Sequence, residues 1–251
     1  MMRLLLIWVL FLTGCASNGG DTYNPNLNST GRASAKIHTE LAGLYFQQSK
    51  LGVALSEVGI ALQADSSYAP AYNVRGLINM TLREDKDAEA DFQHSLQLDK
   101  TDSEAHNNYG WFLCQRGRPT ESIPHFLVAL KNPLYTTPEL AYLNAGVCSQ
   151  KAGNFQDATD YLQRALTIRP GMPMALVGMA EANFFQGAFR TAKRYFDEYK
   201  AKVDGLSADN LLLAVRIERA IGDRTKEADY AEQLRRNYPD SAQAKLLNNL
   251  R

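Results

Sequence analysis

Asn107-Asn108-Tyr109-Gly110-Trp111-Phe112-Leu113-Cys114 is the stretch that decides the fold of this chain. Around it the sequence reads His106, Tyr109-Gly110 and Leu113, then Ser122 and Phe126. The arrangement returns downstream as Tyr142, Ala145-Gly146, Ser149, Ala158, Leu162 and Pro170, and upstream as Tyr72, Gly76, Asn79, Ala88 and Phe92. Apolar and small residues at helical spacing, with turn signals twice in each period of about 34 residues, describe stacked helix pairs. No single pair of this kind can bury its apolar face, so neighbours must stack into one continuous core.

This spacing is the tetratricopeptide (TPR) signature, and the expected fold is an all-α TPR superhelix of about six helix pairs plus a C-terminal capping helix. The solenoid is expected over residues 35–251. Its first unit pairs a helix near Lys36 to Gln48 with one near Gly52 to Gln63, and the later units begin near Ala69, Ser103, Glu139, Pro173 and Ser207. Gly43 takes the place held later by Gly76, Gly110 and Gly146, where a close helix crossing offsets the cost of about 1 kcal/mol for a helical glycine. Ala180 holds that place in the fifth unit. Pro124 falls early in a second helix and removes one backbone donor. A final helix is expected over Ser241 to Asn249, its Gln, Lys and Asn residues suiting the polar outer face of a cap.

Composition excludes several functions. The 27 basic and 27 acidic side chains cancel, so there is no basic field to condense on nucleic acid. The four histidines stand at no metal-ligand spacing with one another or with a cysteine, and no metal or other cofactor is expected. No phosphate loop, dinucleotide fingerprint or nucleophile elbow is present, and no catalytic residue is nominated. The acidic run 85–91 reads as a solvated helix start with carboxylates at the positive end of the dipole.

Met1-Met2-Arg3 followed by the apolar run Leu4 to Leu12 reads as a lipoprotein signal peptide over 1–14. Nine helical residues rise about 14 Å, less than half of a bilayer core of about 30 Å. Leu12-Thr13-Gly14-Cys15 resembles the bacterial lipobox, which implies lipidation of Cys15 after cleavage. Ala16 follows the cysteine in place of the aspartate that resembles an inner-membrane retention signal. The expected location is therefore the outer membrane, lipid-anchored, on the periplasmic face. Residues 15–34, rich in Asn, Ser, Gly and Thr, read as a flexible tether.

Cys114 and Cys148 lie in the first helices of adjacent units, which stack side by side. An oxidising compartment permits a disulfide between them, against the alternative of two buried free thiols. The first helices line the inner surface of a TPR stack. By helical spacing that face holds Leu77, Met80, Asn107, Trp111, Leu143, Val147, Gln150, Glu181 and Phe184. This floor is apolar with isolated amides. It suits an extended segment or amphipathic helix of a protein partner, with Trp111 as anchor and the amides holding backbone groups. Trp111 also reads as a core tryptophan between helices, and Asn107 and Asn108 as caps or bridges. The loop Asn132-Pro133-Leu134-Tyr135-Thr136-Thr137-Pro138 is longer than the period requires and presents Leu134 and Tyr135 on one rim.

Together, Leu12 to Cys15, the six-unit length, the stretch 107–114 and the loop 132–138 resemble the PilW/PilF family of type IV pilus biogenesis and stability lipoproteins, whose members act as pilotins. The resemblance implies an outer-membrane lipoprotein that assists membrane insertion or multimerisation of the secretin through which the pilus passes. The partner so implied is a secretin subunit. A TPR adaptor of another envelope machine, in cell-wall synthesis or outer-membrane protein assembly, is the alternative reading.

Overall fold

The structure, a computed structural model, describes residues 25–249, with side chains placed for 29–247. Its described residues form thirteen α-helices and no strand. Six antiparallel pairs follow one another: α1 (Pro25–Gln47) with α2 (Leu51–Ala64), α3 (Ala69–Leu82) with α4 (Asp85–Leu98), and α5 (Ser103–Gln115) with α6 (Pro119–Leu130). Then come α7 (Pro138–Lys151) with α8 (Phe155–Ile168), α9 (Pro173–Phe185) with α10 (Phe189–Lys200), and α11 (Ala208–Ile221) with α12 (Arg224–Asn237). The short α13 (Ala242–Asn249) packs on α11 and α12, burying Ala244 and Leu247.

Local chemistry explains the boundaries. The Asp102 carboxylate accepts from the backbone N–H groups of Glu104 (2.9 Å) and Ala105 (3.0 Å), capping α5, and Ser207 and Asp223 cap α11 and α12 in the same way. Proline opens the first turn of α3, α6, α7 and α9, where its missing donor costs nothing. Gly117, Gly153 and Gly187 make the left-handed step between paired helices, with φ near +77°. Arg83 makes that step in the second unit at φ 67°, without glycine's freedom. α6 runs unbroken through Pro124.

Gly110 shows why the period carries a small residue. A Cβ built there would stand 2.9 Å from the Phe126 ring and 3.1 Å from the Ser122 carbonyl oxygen. Equivalent atoms at Gly76 and Gly146 would meet Phe92 at 2.9 Å and Leu162 at 2.5 Å. These rings and side chains fill the seam between the paired helices and are fully buried. The glycine and the large residue sixteen positions later are one packing unit, and the repeat spacing keeps them together.

The first unit departs from expectation. α1 begins at Pro25, so residues 25–34, expected in the tether, belong to the solenoid. They are held there by packing: a Cβ on Gly31 would lie 2.7 Å from the Ala64 carbonyl oxygen, Ala35 is fully buried, and Arg32 lies over the Tyr68 ring. Gly43 does not mark a close crossing, because nothing approaches its Cβ position within 4 Å. Ala42 points into the seam instead, fully buried against Ala54, Val58 and Ile78. The signal peptide 1–14, Cys15 and the rest of the expected tether lie outside the described residues. Among those described, no helix is long and apolar enough to cross a membrane, and no three His, Cys, Asp or Glu side chains gather as metal ligands.

Within the third unit, His106 of α5 faces His125 of α6 with Nδ1 atoms 3.0 Å apart, and His106 Nε2 lies 3.1 Å from the Lys100 carbonyl oxygen. The carbonyl can only accept, so His106 carries its proton on Nε2, and its Nδ1 accepts from His125 Nδ1–H. Burial, reinforced by His106, pushes the His125 imidazole down to about 4. An unfolded histidine protonates near 6.5, so as pH falls from there toward 4 the unfolded chain takes up a proton that the native state refuses. The melting temperature should therefore fall as pH drops across that window, with carboxylates contributing toward its lower end. His125→Gln should flatten the slope, whereas an equal slope in that variant would remove the pair as its cause.

Candidate partner-binding groove

The first helices α1, α3, α5, α7, α9 and α11 touch in sequence along one side of the array, each against its neighbour two elements on. Rotation between successive units makes such a row the inner wall of a superhelix. A ladder of amides crosses this wall. Asn108 Nδ2 donates to Asn73 Oδ1 at 3.2 Å, joining α5 to α3, and Asn144 Nδ2 donates to Asn107 Oδ1 at 3.0 Å, joining α7 to α5. The adjacent pair Asn107-Asn108 is thus the node from which α5 reaches both neighbours. Further along, Gln150 Nε2 donates to the Gly178 carbonyl oxygen at 2.9 Å, and Lys151 Nζ donates to Gln115 Oε1 at 3.2 Å.

Asn107 is buried, and Asn107 Oδ1 and Gln150 Nε2 are each engaged between helices, a bracing role beside the one expected for them. Asn73, Gln115, Asn144 and Lys151 were not read as part of the wall from sequence. For Asn73 and Asn144 the signal was the recurrence of amide side chains one repeat apart, with the donor one position later in its unit than the acceptor it meets.

Beside the ladder, Cys114 and Cys148 form a disulfide between α5 and α7, with Cα atoms 5.8 Å apart. Both cysteines are buried with Phe126 and Ala145, and Trp111 packs partly exposed against this cluster. Lys151 Nζ lies 5.9 Å from the centroid of Trp111. The indole is thus partly packed in the core and partly exposed beside Lys151.

The remaining residues divide by exposure. Leu77 and Met80 are half-buried against Phe92, Tyr109, Phe112 and Leu113, while Leu143 and Phe184 pack on the larger core formed by the last three units. Val147 is half-buried and Glu181 exposed. Phe184 stands within 5.6 Å, centroid to centroid, of both Phe185 and Phe189, and Phe155 stacks on Phe185. Phe185 is half exposed, and so are Met174 on α9 and Ile37 and Leu44 on α1. The wall therefore offers apolar surface between amides that each use one end to brace a neighbouring helix.

Residues 92–123 and 140–171 each match a tetratricopeptide-repeat family model. Over 243 residues the chain is 29% identical to the type IV pilus assembly protein PilF of Pseudomonas aeruginosa strain PAO1, spanning 96% of this chain and 95% of that one. The crystal structure of PilW, described as a widely conserved type IV pilus biogenesis factor, is 36% identical with a TM-score of 0.78, covering 85% of this chain and 97% of that one. The chain belongs to the PilW/PilF family of type IV pilus TPR proteins. The family likeness extends through the terminal units, since the solved Pseudomonas aeruginosa PilF structure superposes with a TM-score of 0.80 at 26% identity, over 88% of this chain and all of that one. The PilW/PilF repeat accounts for Gly76, Gly110 and Gly146 as seam residues, and the atypical ends of the array for its longer α1 and its α13 cap.

Proposed function

We propose that this chain is a non-catalytic lipoprotein, anchored through Cys15 to the outer membrane on its periplasmic face, whose groove holds a segment of the type IV pilus secretin. By holding that segment it assists secretin assembly and outer-membrane localisation, and with them pilus stability. Membership of the pilus family over nearly the whole chain carries this reading. Two features support it. Cys15 stands at the end of a nine-residue apolar run in a lipobox-like sequence, and several acyl chains on one residue give stable anchoring where a single chain is marginal. The inner wall presents Trp111, Leu143, Val147 and Phe184 between amides engaged in bracing the helices.

The mechanism is mass action. An acyl anchor confines the groove to the membrane surface and raises its effective concentration toward a subunit arriving there. The subunit's apolar segment is covered until it assembles with others, and no covalent step is needed.

The test compares secretin multimers and surface pili in strains carrying Cys15→Ala, Trp111→Ala or a full deletion. Cys15→Ala should bring both readouts close to the deletion. Trp111→Ala should reduce capture of secretin subunits while its helical melt stays within about 1–2 kcal/mol of the parent. Parental multimers and pili with Cys15→Ala would reject the anchor, and undiminished capture with Trp111→Ala would reject the groove.

A further inference from the structure

We infer that the groove takes its occupant as extended main chain, held by the unused ends of the Asn73–Asn108 and Asn107–Asn144 amide pairs, and that it does not take a helix. The inference rests on groove binding as proposed above and specifies the conformation of the occupant.

A side-chain amide carries one acceptor oxygen and one nitrogen with two hydrogens. Between α5 and α3, Asn108 Nδ2 uses Asn73 Oδ1; between α7 and α5, Asn144 Nδ2 uses Asn107 Oδ1. Left over are Asn73 Nδ2 and Asn108 Oδ1 at the first pair, and Asn107 Nδ2 and Asn144 Oδ1 at the second. None of these four atoms has a hydrogen-bond partner among the described residues. None is sealed from solvent either, because among the described residues Glu218 Oε2 is the one side-chain atom both buried and unpartnered. Yet the two spare donors belong to well-enclosed residues, Asn73 at 4% and Asn107 at 8% exposure. A polar group so enclosed has given up most of its water and gains more from a fixed partner than an open one does.

Each pair therefore sets a spare N–H donor beside a spare carbonyl acceptor, the complement of a peptide unit. The two pairs stand one first helix apart, and packed helices are spaced by about 8–10 Å. An extended chain of three residues per turn rises about 9 Å per turn and has no internal hydrogen bonds, so the same side of its backbone returns, unspent, at each pair. A helical segment has used its own N–H and C=O groups except at its ends, and has nothing to offer two stations in a row. Apolar contacts accompany the stations. Trp111 follows Asn108 by three positions, as Val147 follows Asn144, and residues so spaced share a helix face. Trp111 is partly exposed and Val147 half-buried, so side chains of the bound segment meet them between main-chain bonds.

The test titrates the full chain by calorimetry with three 12-residue peptides of the same leucine, serine and glutamine content. One is linear, one is the same peptide N-methylated at alternate main-chain nitrogens, and one is locked helical by a hydrocarbon staple. The linear peptide should bind about tenfold more tightly than either of the others, the difference expected for a few main-chain hydrogen bonds. Asn73→Asp with Asn107→Asp keeps the oxygens that accept from Asn108 and Asn144 and removes the spare donors. It should weaken the linear peptide about tenfold and leave the stapled one unchanged, with the parent's circular dichroism spectrum retained. Stapled and linear peptides binding alike, N-methylation without effect on the parent chain, or undiminished binding by the folded Asp variant overturns the inference. The N-methyl comparison needs no variant and decides the matter even where the Asp pair unfolds the chain. Binding lost with Trp111→Ala but indifferent to N-methylation overturns this inference alone; binding indifferent to Trp111→Ala overturns the groove reading and this one with it.

Discussion

Reducing the Cys114–Cys148 bond is expected to lower the free energy of unfolding by nearly 4 kcal/mol, a figure that follows from closing a loop of about 35 residues in the chain-entropy model. The bridge spans 34 positions and joins α5 to α7, first helices of adjacent units. Reduction releases the unfolded chain from that loop while the amide pair Asn107–Asn144 still joins the folded helices. Denaturant melts with and without reductant give the difference directly. The Cys114→Ala, Cys148→Ala variant should reproduce the reduced protein, with a small added cost because both side chains are buried. Identical melts in the two redox states, together with two thiols titratable after denaturation, would show that the bridge does not form in solution.

Gly146→Val is expected to cost more than about 3 kcal/mol, because overpacking here strikes a side chain and a backbone together. The added Cβ alone would lie 2.5 Å from Leu162 Cγ, 2.7 Å from its Cδ2 and 3.3 Å from the Ala158 carbonyl oxygen. Leu162 is fully buried within the larger core and cannot swing away. The variant should therefore open the seam between α7 and α8. Gly43→Ala is the matching control. Its Cβ meets nothing within 4 Å inside α1, so it should gain about 0.5–1 kcal/mol from helix propensity. Thermal or denaturant unfolding of both variants checks the pair, and similar effects at the two positions would contradict the seam geometry.

The contrast between Gly43 and Gly146 also shows what sequence could and could not reveal. Periodicity identified the helix pairs and the seam residues of the central units, because Gly76, Gly110 and Gly146 each meet a large side chain sixteen positions on. It misread the amino-terminal unit, where no earlier neighbour constrains the packing. Gly31, in a polar stretch that composition assigns to a tether, makes the close contact there. The helical period of the wall was legible to the extent that Trp111, Leu143 and Phe184 pack half-buried on the first helices. The wall's hydrogen bonds were not, because whether Asn107 faces a partner or Asn144 depends on the stagger between adjacent helices. That stagger is absent from a one-dimensional period. The loop 132–138, which sets the spacing between α5 and α7, shifts the register by a few residues and obscures the amide repeat.

The disulfide and the amide node fall in the same two helices, at the middle of the array. A superhelix gripped there by a covalent bond holds the spacing of those two units fixed, so Trp111, packed beside the bridge, stands on the least extensible part of the wall.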